Sequence, residues 1–77
     1  MSIKVKYFAS MRDRMGRGED EVPGSDGMTV ADLWAQVADG ADLPESVLIA
    51  VNMEYTDGAH AVKDGDEVAF FPPVTGG

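Results

Sequence analysis

Residues 64–77 read Asp64-Gly65-Asp66-Glu67-Val68-Ala69-Phe70-Phe71-Pro72-Pro73-Val74-Thr75-Gly76-Gly77. Asp64-Gly65-Asp66 has the chemistry of a tight turn: glycine reaches positive φ without a Cβ clash, and aspartate accepts from nearby backbone N–H groups. Glu67 to Phe71 follows with the β-branched and aromatic make-up of a strand. Alternation puts Val68 and Phe70 on one face and Glu67, Ala69 and Phe71 on the other, and Glu67 marks that second face as wet. Pro72-Pro73 ends the strand, because proline has no N–H for the ladder and holds φ at about −65°. The pair also stiffens the exit in an extended direction. Val74-Thr75-Gly76-Gly77 is expected to project beyond the fold and finish in an α-carboxylate on a residue without a side chain. From Pro72 to Gly77 the reach is at most roughly 20 Å, at about 3.3–3.6 Å per residue.

Outward from this run, the opposite end of the chain supplies a second alternating segment. Ile3, Val5 and Tyr7 fall on one side and Lys4, Lys6 and Phe8 on the other, the pattern of a half-buried strand. Phe8 interrupts a lysine-marked solvent face. It is either folded under a loop at the strand end or left open as an interface anchor. Ala9 to Met15 has the spacing of a short helical turn, broken at Gly16-Arg17-Gly18, and Glu19 to Val22 reads as a polar edge strand. The Gly-Arg-Gly segment is no phosphate loop, since it lacks a following Lys-Ser/Thr and acids come next.

The main helix is predicted after Thr29, a natural N-cap with Asp32 in the capping-box position. Val30, Leu33, Trp34, Val37 and Ala38 make one apolar stripe, Trp34 is expected in the core, and Gly40 is the expected stop. Val47 to Met53 is nearly continuous in apolar residues, as in a strand buried on both faces or lying centrally. Asp57-Gly58 reads as a turn, with a short strand expected over 59–62 before the final turn and strand. The order is therefore strand, strand, helix, then two or three strands, in an α+β domain of four to five strands packed on one main helix.

Seventy-seven residues make one domain, with 44% hydrophobic content to build its core. Cysteine is absent, which excludes disulfides, thiolate zinc sites and a cysteine nucleophile. His60 is the single histidine and is read as a surface residue, so no metal site is expected. Net charge is −8, from 14 acidic against 6 basic residues, which argues against nucleic acid or anionic membrane as a partner. Lys4, Lys6, Arg12, Arg14 and Arg17 crowd the first seventeen residues. No apolar run approaches the roughly 20 residues needed to span a bilayer, and the chain is expected to be cytoplasmic. The carboxylates form no pair placed for acid and base roles, and are expected to be a solvated surface.

The closing run, from Asp64-Gly65-Asp66-Glu67-Val68 through Phe70-Phe71-Pro72-Pro73-Val74-Thr75-Gly76-Gly77, resembles the ubiquitin-like sulfur carriers of the MoaD/ThiS type, and within them the molybdopterin synthase small subunits. The likeness extends to Ile3-Lys4-Val5 through Phe8-Ala9 and to Ala50-Val51-Asn52; the loops 12–21 and 23–28 match poorly. The resemblance implies a β-grasp roll spanning 1–77, with parallel first and last strands adjacent in the middle and 72–77 as a projecting flexible tail.

The resemblance also implies the chemistry. Gly77 would be activated as an acyl-adenylate by an E1-like adenylyltransferase that uses ATP. A sulfurtransferase system would then convert it to a thiocarboxylate. Gly76 would let the tail pass into the large subunit of molybdopterin synthase, where sulfur goes to cyclic pyranopterin monophosphate. Phe8, Phe71, Pro72, Pro73, Val74 and Thr75 would meet the partner. No cofactor would be bound, and the catalytic residues would be the partner's, so the chain alone would not be an enzyme. Carriers for thiazole, cysteine or tRNA thiolation share the Gly-Gly ending, and a ubiquitin-like modifier is the alternative of a different class.

Overall fold

The computed structural model describes residues 2–72. The two alternating segments become β1 (Ile3–Tyr7) and β5 (Glu67–Phe71), which pair in parallel with Val5 opposite Val68 and Tyr7 opposite Phe70. Their inward faces therefore merge into one apolar surface, and Ile3, Val5, Tyr7, Val68 and Phe70 are all buried.

Between these strands run α1 (Ser10–Met15), β2 (Glu19–Val22), α2 (Val30–Val37), β3 (Leu48–Val51) and β4 (Glu54–Thr56). The sheet order is β2-β1-β5-β3-β4, and every pairing other than β1 with β5 is antiparallel. The polar segment β2 lies at an edge, as its sequence requires. A second helix, the six-residue α1, joins the main one; its Met11 is buried in the core.

Helix α2 begins as its sequence predicts. Thr29 Oγ1 accepts from the Asp32 N–H at 3.3 Å, and an Asp32 carboxylate oxygen accepts from the Thr29 N–H at 3.0 Å. Val30, Leu33 and Trp34 are buried against the sheet, and the Trp34 ring meets Phe70 edge-on at 5.0 Å. The Trp34 indole N–H donates to the Asp42 carbonyl at 3.2 Å, so this buried aromatic is satisfied. The regular helix ends at Val37. Asp39 and Gly40 then turn through positive φ, and the Gly40 N–H closes onto the Ala35 carbonyl at 2.7 Å.

Two segments differ from their sequence-based reading. The apolar run 47–53 stops being a strand at Val51, because Asn52 and Met53 both take positive φ, 51° and 70°, and form a two-residue hairpin turn. The short strand expected over 59–62 is a single bridge from Thr29 to Ala61, and the short strand that follows β3 is Glu54–Thr56, paired with it. Paired hairpin turns favour Asn followed by Gly; Asn-Met carries only half of that signal.

The turn before β5 holds one buried carboxylate. Gly65 supplies φ 95°, and Asp66, 7% exposed, accepts from the Asn52 side-chain amide and the Lys63 backbone N–H, each at 3.0 Å. The amide of Asn52 and then the Lys63 N–H hold the Asp66 carboxyl below its ordinary value, against the opposing effect of burial. A lowered folded-state pKa stabilises the fold above the unfolded value of about 3.9 and loses that effect as pH falls through the folded value. Asp66→Asn is expected to cost about 1–3 kcal/mol in urea unfolding at pH 7. The gap between variant and wild type should narrow below about pH 4. Equal stability at pH 7 would show that the carboxylate contributes nothing.

Candidate functional site

The face of the sheet that carries Lys4 and Lys6 has no helix assigned to it by sequence, and its residues follow from the strand register. Lys6 pairs with Ala69, Ala69 with Ala50, and Ala50 with Tyr55, so these four form one row across β1, β5, β3 and β4. Paired residues point to the same side of a sheet. Phe71 pairs with Leu48 in the next row. Phe8 lies one residue past the end of β1, and its N–H still donates to the Phe70 carbonyl at 3.1 Å.

That register brings two separated aromatics together. The rings of Phe8 and Phe71 stack with centroids 4.8 Å apart and planes 7° from parallel, and Tyr55 stands tilted beside Phe71 at 6.4 Å. The Phe8 side chain is not folded under a loop, and the residue is 40% exposed. Met53 and Tyr55 are more exposed still, at 89% and 76%. All three lie around one shallow groove or beside it, and the groove is lined by Lys6, Phe8, Ala50, Met53, Glu67, Ala69 and Phe71. Small alanines make its floor and larger side chains its rim.

One ion pair crosses the groove, Lys6 Nζ to Glu67 Oε1 at 3.6 Å. Both partners are solvated, so the pair adds little to stability. The other basic residues are not all free. The Arg17 guanidinium pairs with Asp20 and donates to the carbonyls of Met15 and Val37, each at 2.9 Å, which satisfies the ends of both helices. Asp20 also accepts from the Tyr7 hydroxyl at 2.9 Å, and burial, then this carboxylate, raises the Tyr7 pKa. Tyr7 and Asp66 are structural groups and do not line the groove. Asp66 is the one carboxylate that departs from the expected solvated surface by being buried.

Phe71 and Pro72 end the described chain at the end of β5, next to the stacked rings. Pro73, Val74, Thr75, Gly76 and Gly77 lie outside the described residues, so the tail expected over 72–77 is described only at Pro72. His60 is exposed. Among the described residues, no group of three or more histidine, aspartate or glutamate side chains is arranged to hold a metal ion. Sequence reading missed Ala50 and Met53 as groove residues, and Tyr55 as their neighbour. Their shared face depends on pairing with β5, a contact that no local pattern encodes.

The sequence profile of the ThiS family matches residues 5–77. The chain is 41% identical over 83 residues to the molybdopterin synthase sulfur carrier subunit of Chlamydomonas reinhardtii, covering 100% of both chains. Among solved structures it is similar to SAMP1 from Haloferax volcanii, with 30% identity, a TM-score of 0.78 and full coverage of both chains. It is also similar to a chain in the complex of subunits 1 and 2 of molybdopterin-converting factor from Helicobacter pylori, with 25% identity, a TM-score of 0.66 and full coverage of both.

The burial contrast along β5 gives a direct test of which aromatics belong to the surface. Phe70→Ala should cost about 3–5 kcal/mol in urea unfolding, the range for a buried aromatic. Phe8→Ala and Phe71→Ala should each cost well under half of that, because both rings keep a solvent-facing side. Losses as large as that of Phe70→Ala would make the pair part of the core.

Proposed function

Because the chain belongs to the ThiS family, we propose that it is a sulfur carrier and the small subunit of a molybdopterin synthase, working through a thiocarboxylate on Gly77. The observation that supports this most is the end-to-end identity of 41% with a molybdopterin synthase sulfur carrier subunit, joined to a family match that runs through Gly76-Gly77.

A free carboxylate is a poor acyl donor, so the Gly77 oxygen first attacks the α-phosphate of ATP on an E1-like adenylyltransferase, and pyrophosphate leaves. A sulfur nucleophile supplied by a sulfurtransferase system then displaces AMP, and the terminal C–O⁻ becomes C–S⁻. In the large subunit, that sulfur passes to cyclic pyranopterin monophosphate and the carboxylate is restored. The chain supplies reach and access for these steps. The proline pair 72–73 would stiffen the start of the tail, and Gly76-Gly77 has no Cβ to obstruct a narrow channel. Acid–base groups and the substrate pocket belong to the partners.

The open sheet face is the docking surface in this reading. Phe8 and Phe71 anchor it beside the tail, with Pro72, Pro73, Val74 and Thr75 carrying contact onward to the partner's site. The complex of subunits 1 and 2 in Helicobacter pylori supports a large-subunit partner of this kind. The similarity to SAMP1, a small archaeal modifier protein, supports a second reading in which the same glycine is joined to lysines through isopeptide bonds. Carriers for thiazole, cysteine or tRNA thiolation remain the other members of the first class.

Intact mass after incubation with an activating enzyme, ATP and a sulfur donor separates a carrier from a modifier. A carrier gains about 16 Da as oxygen is replaced by sulfur, whereas a modifier forms covalent ladders. Methionine sulfoxide adds nearly the same mass, so the gain must be located by fragmenting the C-terminal peptide. Deleting Gly77 should abolish the gain and leave thermal unfolding nearly unchanged; full sulfur transfer by that variant would overturn the mechanism. Phe8→Ala or Phe71→Ala should weaken binding to the large subunit by about 1–2 kcal/mol or more.

The acidic body adds an electrostatic expectation. With net charge −8 and an anionic tail to deliver, the receiving surface should be basic, and association should slow as salt rises. An association rate independent of salt would remove steering from the account.

A further inference from the structure

The chain contains five methionines, and the fold sorts those it describes by access to solvent. Met11 and Met28 are 3% exposed within the core, and Met15 is partly buried against it. Met53 is 89% exposed at the tip of the β3–β4 hairpin and lines the groove with Lys6, Phe8, Glu67 and Phe71, above the alanine floor.

Its position is fixed by the residue before it. The Asn52 N–H donates to the Glu67 carbonyl at 2.8 Å, its side-chain oxygen accepts from the Glu67 N–H at 3.0 Å, and its amide nitrogen donates to Asp66. These bonds tie the hairpin tip to the start of β5. Met53 is therefore presented to solvent by a braced turn, on the same groove as the stacked rings.

We propose that Met53 is a modification site for peroxides, and that its conversion to the sulfoxide switches off docking at this groove. The inference rests on the docking reading above. In the reaction, a sulfur lone pair attacks one oxygen of the peroxide, an S–O bond forms and the O–O bond breaks. The second oxygen leaves as water or an alcohol, taking the proton from the transferred oxygen; sulfur loses two electrons and the peroxide gains them. A flexible apolar thioether becomes a strongly polar group. On the rim of a groove that must lose water to bind, that oxygen has to be stripped of its own water, which opposes docking.

The test uses the full chain with limiting hydrogen peroxide. Peptide mapping by mass should show Met53 oxidised ahead of Met11, Met15 and Met28. Titration against the large subunit of molybdopterin synthase should give a dissociation constant about tenfold or more higher after peroxide than before it. For Met53→Leu the ratio of the two constants should stay at about one, because leucine has no sulfur to oxidise. Methionine sulfoxide reductases should return the wild-type value. Oxidation of a core methionine first, or an unchanged wild-type ratio with Met53 fully oxidised, would overturn the inference alone. Failure of the reduced chain to bind would overturn the docking reading itself, and the switch with it.

Discussion

The parallel pairing of β1 with β5 is the contact on which the rest of the fold depends. It sets Val5 beside Val68 and Tyr7 beside Phe70, although more than sixty residues separate each pair in sequence. Closing so long a loop costs conformational entropy before any of its contacts form. The return is that both strands bury their alternate residues on one side, and α2 lays Val30, Leu33 and Trp34 onto the same surface. A slip of one residue would reverse this, carrying Val68 and Phe70 to solvent and Glu67 into the core. The same register brings Phe8 and Phe71 into ring contact on the opposite face. Core and candidate docking surface are thus two consequences of one pairing.

The two faces use their residues differently. The core side is filled with large side chains, and the Phe70 ring meets those of both Tyr7 and Trp34 within it. On the open side, alanines at 50 and 69 occupy the central strands and leave a depression between larger neighbours. Those alanines are nearly buried because their neighbours overhang them, so low exposure here does not mean membership of the core. A depression rimmed by Phe8, Phe71 and Met53 lets apolar contacts be made without exposing a broad hydrophobic sheet to water.

Polar interactions hold the connections that the core does not reach. Asn52 and Asp66 join the hairpin tip to the turn before β5, and Arg17 joins the ends of both helices to Asp20 and through it to Tyr7. In each case a charged group sits among several donors or acceptors, buried for Asp66 and exposed for Arg17. None of these side chains lines the groove.

Much of this was legible in the sequence because it is local. Alternation in 3–8 and 67–71, the Thr29–Asp32 capping box and the turn at Gly65 each depend on neighbouring residues, and each is present in the structure. The expected parallel placement of first and last strands came from family resemblance, since no pattern within either strand names its partner. Tertiary structure alone decided that Asn52-Met53 is a hairpin turn and not strand, that residues 54–56 form a strand where 59–62 give only a single bridge, and that Asp66 is a buried acceptor. It also decided which of the two places open to Phe8 is occupied. The physical reasons differ: the turn at 52–53 and the pairing of 54–56 are local but carry only half of the usual Asn-Gly signal. The Phe8–Phe71 stack and the Asn52–Asp66 bond instead join residues far apart in sequence, which meet only after β5 has paired with β1 and β3.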